Sequence, residues 1–273
     1  MSLVRDQTVQ YDMKVALQET TASCTFYYMP YVTNGYTDNL PAGSHTISSL
    51  RDLKTMAQSM TSGIEQLPIV ITDPAFLVDD MQYALAQAGY GWIGYTLNRD
   101  GTAILAAPPI GKTLDECVSA INASFELCGD ILSSETTPDM TEYEKIQALY
   151  QYIVTNVRYD FRYYSDRPSM PYESTVALGA LRDHLAICGG YAQAFQMLLD
   201  RAGIENYTVS GVSSGEYHMW NYVLFDGKWY YCDPTADRGG MENHFMLTAE
   251  ELNAVGTYSW DETFLEKITR DTR

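Results

Sequence analysis

From residue 137 onward the apolar positions change period, first helical and then alternating. Ile146, Leu149, Tyr150, Ile153 and Val157 recur along one helical face behind a capping box of Thr141 and Glu144, predicting a helix of about four turns. After a loop rich in Tyr, Asp, Ser and Pro, a second helix is predicted from near Cys188 through AQAFQMLLDRA, with Gly203 placed to cap its end. Three strand-like runs follow at 207–212, 218–225 and 228–233. Asp226-Gly227 between the last two is a strong signal for a two-residue hairpin.

The first half reads differently. Positions 46–60 look helical, 66–72 (QLPIVIT) looks like a buried strand, and 76–88 looks like an amphipathic helix ended by Gly89. A hairpin over 90–98 and 102–107 turns around Arg99-Asp-Gly101, and a long helix over 113–132 leads out of the region. The polar, proline-containing stretch at 133–139 then supplies the expected boundary. It separates an N-terminal α/β accessory region (1–136), without any nameable catalytic constellation, from a C-terminal α+β domain (137–273).

With 46% hydrophobic residues and 12% aromatic, the 273-residue chain has ample material for a buried core. Acidic residues outnumber basic ones 35 to 17. The net charge of −18 repels phosphate backbones and anionic lipid, so nucleic acid is not an expected partner. No run approaches the roughly 18 unbroken apolar residues of a membrane span, and the opening MSLVRDQTVQ has no apolar signal region. Met-Ser-Leu also reads as a cloning scar, which leaves a removed leader or anchor open, and no compartment is assigned. The five cysteines include no CxxC pair. Cys117 and Cys128 share a helical face about 16 Å apart and cannot bridge each other. Together with Cys24 and Cys232 they are expected to be buried, small apolar side chains.

Cys188 is different, because it stands at a predicted helix start, where unsatisfied N–H groups and the dipole favour a thiolate. Its own amide is a candidate donor to an oxyanion formed beside the sulfur. In the hairpin, Phe225 opposes Lys228, Tyr222 opposes Tyr231 and Trp220 opposes Asp233, which puts His218 and Trp220 on the face of Asp233. Diagonal neighbours on a sheet lie roughly 7–8 Å apart, within reach for an imidazole and a carboxylate. A thiolate to attack a carbonyl, a histidine to hold and return the proton, and an acid to fix its tautomer are the parts acyl transfer needs. Trp220 and Trp229 are expected to pack rather than to bind substrate, and Tyr172 and Gln193 are candidates for lining a cleft. Cys188, His218, Cys232 and His244 make a poor zinc set, because Cys232 alternates to the face opposite Asp233 and close ligand pairs are missing. His45 and His184 read as surface or loop residues and His244 as structural, with lining the cleft as its alternative.

The run CGGYAQAF from Cys188, then Gly203-Ile204, Val209-Ser-Gly211, HMWN from His218, GKWY from Gly227 and Asp233-Pro-Thr235 resembles the transglutaminase-like core. Arg158-Tyr-Asp160 upstream and NHFMLT from Asn243 downstream extend the resemblance, which covers roughly 142–247. It implies a papain-like cysteine proteinase fold, with a cysteine-bearing helix packed on an antiparallel sheet, and gives Cys188, His218 and Asp233 the catalytic roles. His184 in the approach LRDHLAIC, and Met219 after the histidine, depart from the family pattern. The implied reaction is attack on an amide to give a thioester; the resemblance leaves the acceptor open, and water is expected in preference to an amine. A peptide or protein is the expected substrate, with peptidoglycan peptide among the candidates, and no metal or organic cofactor is required. Glutamine crosslinking or deamidation, and a noncatalytic binding module of the same fold, remain as alternatives.

Overall fold

The computed structural model describes the backbone of residues 8–18, 21–30, 43–72, 78–99 and 101–269, with side chains from residue 43 onward except 78. The chain divides into two compact units. The first gathers the described residues up to Gly89, Ile93–Val118, and those from Thr263; the second holds Tyr90–Trp92 and Ser119–Glu262.

The first unit begins with an antiparallel hairpin of β1 (Thr8–Gln18) and β2 (Thr21–Pro30), which the apolar pattern did not reveal. There follow β3 (His45–Ile47), α1 (Leu50–Ser59), β4 (Gln66–Ile71), α2 (Val78–Ala86), β5 (Gly94–Leu97) and β6 (Ala103–Ala107). Their sheet has the order β3-β4-β6-β5, with β3 parallel to β4 and the remaining pairs antiparallel, over a core that includes Ile47, Leu53, Ile69, Met81 and Ile104. The α/β character expected of this region is therefore present.

Two boundaries differ from the sequence expectation. The helix expected from residue 46 starts at Leu50, because Ser49 and Asp52 form a capping box there, leaving Thr46 and Ile47 to pair with β4. The strand expected from residue 90 starts at Gly94, because Tyr90 and Gly91 turn with φ of 50° and 74°. Residues 76 and 77 of the expected helix, and Asp100 of the expected turn, lie outside the described residues. The long helix, α3 (Leu114–Glu135), carries the division at 118/119 within it; residue 136, the expected boundary, follows its last residue.

In the second unit come α4 (Glu142–Asn156), β7 (Arg158–Tyr159), α5 (Arg162–Ser165), α6 (Ala177–Arg182), β8 (Leu185–Ala186) and α7 (Cys188–Ala202). Beyond them lie β9 (Asn206–Ser213), β10 (Glu216–Phe225), β11 (Lys228–Cys232), α8 (Ala249–Val255) and β12 (Tyr258–Trp260), before α9 (Glu262–Thr269), most of which belongs to the first unit. The expected capping box holds: Thr141 and Glu144 close the start of α4, whose Ile146, Leu149, Tyr150 and Ile153 are buried. The sheet order is β11-β10-β9-β12, antiparallel throughout. Asp226 and Gly227 both have positive φ, 49° and 69°, as a tight hairpin requires, and Tyr222 pairs with Tyr231 in the expected register.

The helix α7 packs on this sheet, and a buried Asn221 fixes it there by donating from Nδ2 to the Ala192 carbonyl at 2.8 Å. Its N-terminus is nested tightly, since a Cβ on Gly190 would lie 2.7 Å from the Ala186 methyl and 2.9 Å from the Val176 carbonyl oxygen. The architecture is thus α+β, with the cysteine-bearing helix laid on an antiparallel sheet.

Candidate active site

Cys188 is the first residue of α7. The preceding Ile187 is extended and has no side chain able to cap, so no side-chain acceptor competes for the N–H groups of the first turn. The thiol is partly exposed, and it lies at the positive end of a helix of 15 residues. Leading into it is β8, which pairs in parallel with β7 in a separate two-stranded sheet, Tyr159 opposite Ala186. His184, at φ 52°, makes the left-handed turn into β8, and its carbonyl accepts the Arg158 N–H at 2.9 Å. His184, the departure from the family pattern in this approach, thus takes a backbone conformation that glycine favours.

The structure brings Cys188, His218 and Asp233 together. Nε2 of His218 lies 2.6 Å from Oδ2 of Asp233, and the same ring hydrogen-bonds the Cys188 thiol, for which Nδ1 is the nitrogen left. Burial pulls the imidazole toward the neutral form, but its bonds to Asp233 and Cys188, and their negative charge, outweigh this and push it up to about 10. Asp233 is fully buried, and burial alone would raise it. The bond and charge of His218, the Ala236 N–H and the Tyr258 hydroxyl reverse the shift and hold it below the usual carboxylate range.

That carboxylate is fully subscribed. Oδ1 accepts the backbone N–H groups of Thr235 and Ala236, both at 3.0 Å, while Oδ2 accepts the Tyr258 hydroxyl at 2.8 Å in addition to His218. Tyr258, which the sequence reading missed, comes from β12, a three-residue strand paired with β9. Its approach depends on Gly211, opposite both His218 and Trp260 in the sheet. A Cβ there would collide with the Ser259 carbonyl and lie 2.7 Å from the Trp220 ring. Trp220 is fully buried beneath the site, stacked on His218 at 5.8 Å and edge-on to Tyr258 at 5.2 Å, a packing role as expected. Trp229 stacks on Tyr222 at 4.9 Å.

A second imidazole–carboxylate pair braces the turn after β11. His244 Nδ1 lies 2.9 Å from Oδ1 of the buried Asp237, whose Oδ2 accepts the His244 N–H and the Tyr150 hydroxyl at 2.8 and 2.6 Å. The same hydroxyl also approaches the Asp233 carbonyl at 3.0 Å. Asp160, in the upstream motif, is buried and bound by Arg162 and by the Ser174 hydroxyl at 2.7 Å, tying β7 to the segment against which α7 starts. Next to it, Tyr159 is held above the usual phenol range by burial, then by its bond with Tyr164 and the charge of Cys188.

The other named residues sit elsewhere. Tyr172 donates to the Gly91 carbonyl at 2.5 Å, and Gln193 also lies against Gly91. Cys117, Cys128 and Cys232 are buried free thiols; burial pushes Cys128 and Cys232 up to about 12, and Cys232 accepts the Met246 N–H. The side chain of Cys24 lies outside the described residues. His45 and His184 are exposed. No group of three or more potential metal ligands occurs among the described residues, and none of their helices is long and apolar enough to cross a membrane.

Residues 130–234 match the family model of the transglutaminase-like superfamily. Kyphoscoliosis peptidase of Homo sapiens is 28% identical over 134 residues, 45% of this chain and 19% of that protein. Its Mus musculus counterpart is 29% identical over 140 residues, 47% and 21%. The chain thus spans about a fifth of the length of these curated relatives. Among solved structures, a TGase covers 71% of this chain and 56% of its own at 18% identity and a TM-score of 0.40. The periplasmic domain of TgpA from Pseudomonas aeruginosa, bound to ethylmercury, covers 50% and 55% at 17% identity and a TM-score of 0.33.

Proposed function

We propose that the transglutaminase-like core carried by this chain is a working thiol acyl-transfer site that hydrolyses an amide in a peptide or protein. The observation that carries this reading is the continuous hydrogen-bonded series from the buried Asp233 through His218 to Cys188 at the start of a helix. For attack the thiol proton passes to His218, whose charged form Asp233 supports, and the sulfur lies at the positive end of the helix dipole. The thiolate attacks the carbonyl carbon, and the Cys188 amide N–H is placed to donate to the oxyanion that forms. Collapse of that intermediate breaks the C–N bond as His218 gives its proton to the departing amine, leaving a thioester on Cys188. His218, now neutral, takes a proton from water. The hydroxide equivalent adds to the thioester, and the second intermediate expels the thiolate and a carboxylic acid. Throughout, Asp233 holds the imidazole in the tautomer that presents Nδ1 to sulfur.

Resolution by water rather than by an amine is supported by the peptidase name of the matched relatives. The first test is the pH dependence of iodoacetamide alkylation at Cys188, followed by peptide mass mapping, in the parent protein and in His218→Ala. The expected result is reaction already at neutral pH in the parent and a shift toward the ordinary thiol pKa of about 8.5 in the variant. An ordinary thiol profile in both proteins would instead identify a noncatalytic binding module of the same fold.

A further inference from the structure

A cavity of about 620 Å³ opens in the second unit, and its wall has an unusual composition for this chain. Arg158, Tyr159, Phe161, Leu185, Arg238 and Gly239 line it, and no carboxylate of the described residues does, although acidic residues outnumber basic ones 35 to 17. Neither arginine is in an ion pair among the described residues. Arg238 uses Nη1 to donate to the Thr235 carbonyl at 2.8 Å and lies 5.6 Å above the Tyr159 ring, an arrangement that leaves its other N–H groups unused. Arg158 is exposed at the start of β7, with its backbone bound to His184 and its guanidinium unengaged among the described residues.

The cavity wall is joined to Cys188 through β8. Leu185 on its wall pairs with Arg158, Ala186 pairs with Tyr159, and the same strand runs through Ile187 into Cys188. Three residues of extended chain span about 10 Å. The turn that follows β11 contributes to both places, since its Thr235 N–H binds Asp233 while its Thr235 carbonyl anchors Arg238.

We propose that this cavity is an anion subsite for the acyl substrate, taking a carboxylate side chain carried within about three residues of the carbonyl that Cys188 attacks. The substrate class is thereby narrowed to peptides with Asp or Glu near the reacting amide. Unpaired guanidiniums suit such a group, because each supplies charged donors in a fixed fork. Phe161, 60% exposed at the rim, offers apolar surface to the adjoining peptide. The inference rests on Cys188 being the nucleophile, so its test reads binding rather than turnover.

N-acetylated pentapeptide amides of alanine, with a single Glu or a single Gln moved through the five positions, are titrated by NMR into the full chain carrying Cys188→Ala. At one or two adjacent positions Glu is expected to bind about tenfold more tightly than Gln. Arg158→Gln and Arg238→Gln should each remove most of that difference while leaving circular dichroism and melting temperature at the parent values. No binding of any Glu peptide, equal binding of Glu and Gln at every position, or a Glu preference that survives in the double arginine variant overturns the subsite. An inert Cys188 in the parent protein defeats the acyl-transfer reading and leaves a measured Glu preference standing. A reactive Cys188 without that preference defeats only the subsite.

Discussion

Asp233 is where the candidate site is least tolerant of change. Its two oxygens receive four donors in a fully buried position, so removing any one leaves the others to hold the charge alone. Tyr258→Phe deletes one of these donors without altering shape. It should destabilise the fold by about 1–3 kcal/mol, as loss of a hydrogen bond to a buried charge does. It should also move the acid limb of the activity profile upward, because the lowered carboxyl loses one of its causes. Unfolding curves and alkylation rates across the acid range measure the two effects; an unchanged acid limb would mean that Tyr258 only packs. Cys188, His218 and Asp233 were legible because each is a chemically marked residue type at an element end that the pattern of apolar positions locates. Tyr258 was not, because one tyrosine among 22 carries no mark. Only the pairing of β12 with β9 places it on Asp233.

At the scale of elements, α4, α7 and the β9–β11 meander were readable because a capping box, a capping glycine and an Asp-Gly turn punctuate them. β12 is too short for an alternation to register, and β3 was absorbed into a helix whose true start was signalled by Ser49 and Asp52. Gly211 links the readable and unreadable parts. Gly211→Ala would drive β12 and Trp220 apart, destabilise by about 1–3 kcal/mol through overpacking, and carry Tyr258 off Asp233. If so, adding Tyr258→Phe to Gly211→Ala should shift the acid limb little further, which a double-mutant cycle on the alkylation profile reads. Full additivity would separate the two residues.

For the whole molecule, the two shifted groups of the site set opposing pH limits. His218 rises from 6.5 to about 10, so the stability it contributes is complete below pH 6.5 and is lost as the pH rises through about 10. Asp233 is lowered from 3.8, so its contribution is present above that value and is lost as the pH falls further. Urea unfolding between pH 6 and 10 should therefore show the parent losing stability relative to His218→Gln, and parallel curves for the two would rule out a charged His218 in the fold. A last consequence follows from the Tyr150 hydroxyl, which joins α4 to Asp233 and to Asp237, while the Gly239 and Gly240 N–H groups reach back to the Val154 carbonyl. In hydrogen exchange, the turn after β11 and the middle of α4 should therefore open as one cooperative unit. Warming would then loosen the carboxylate from the imidazole by a sub-global fluctuation, and inactivation would precede melting of the sheet.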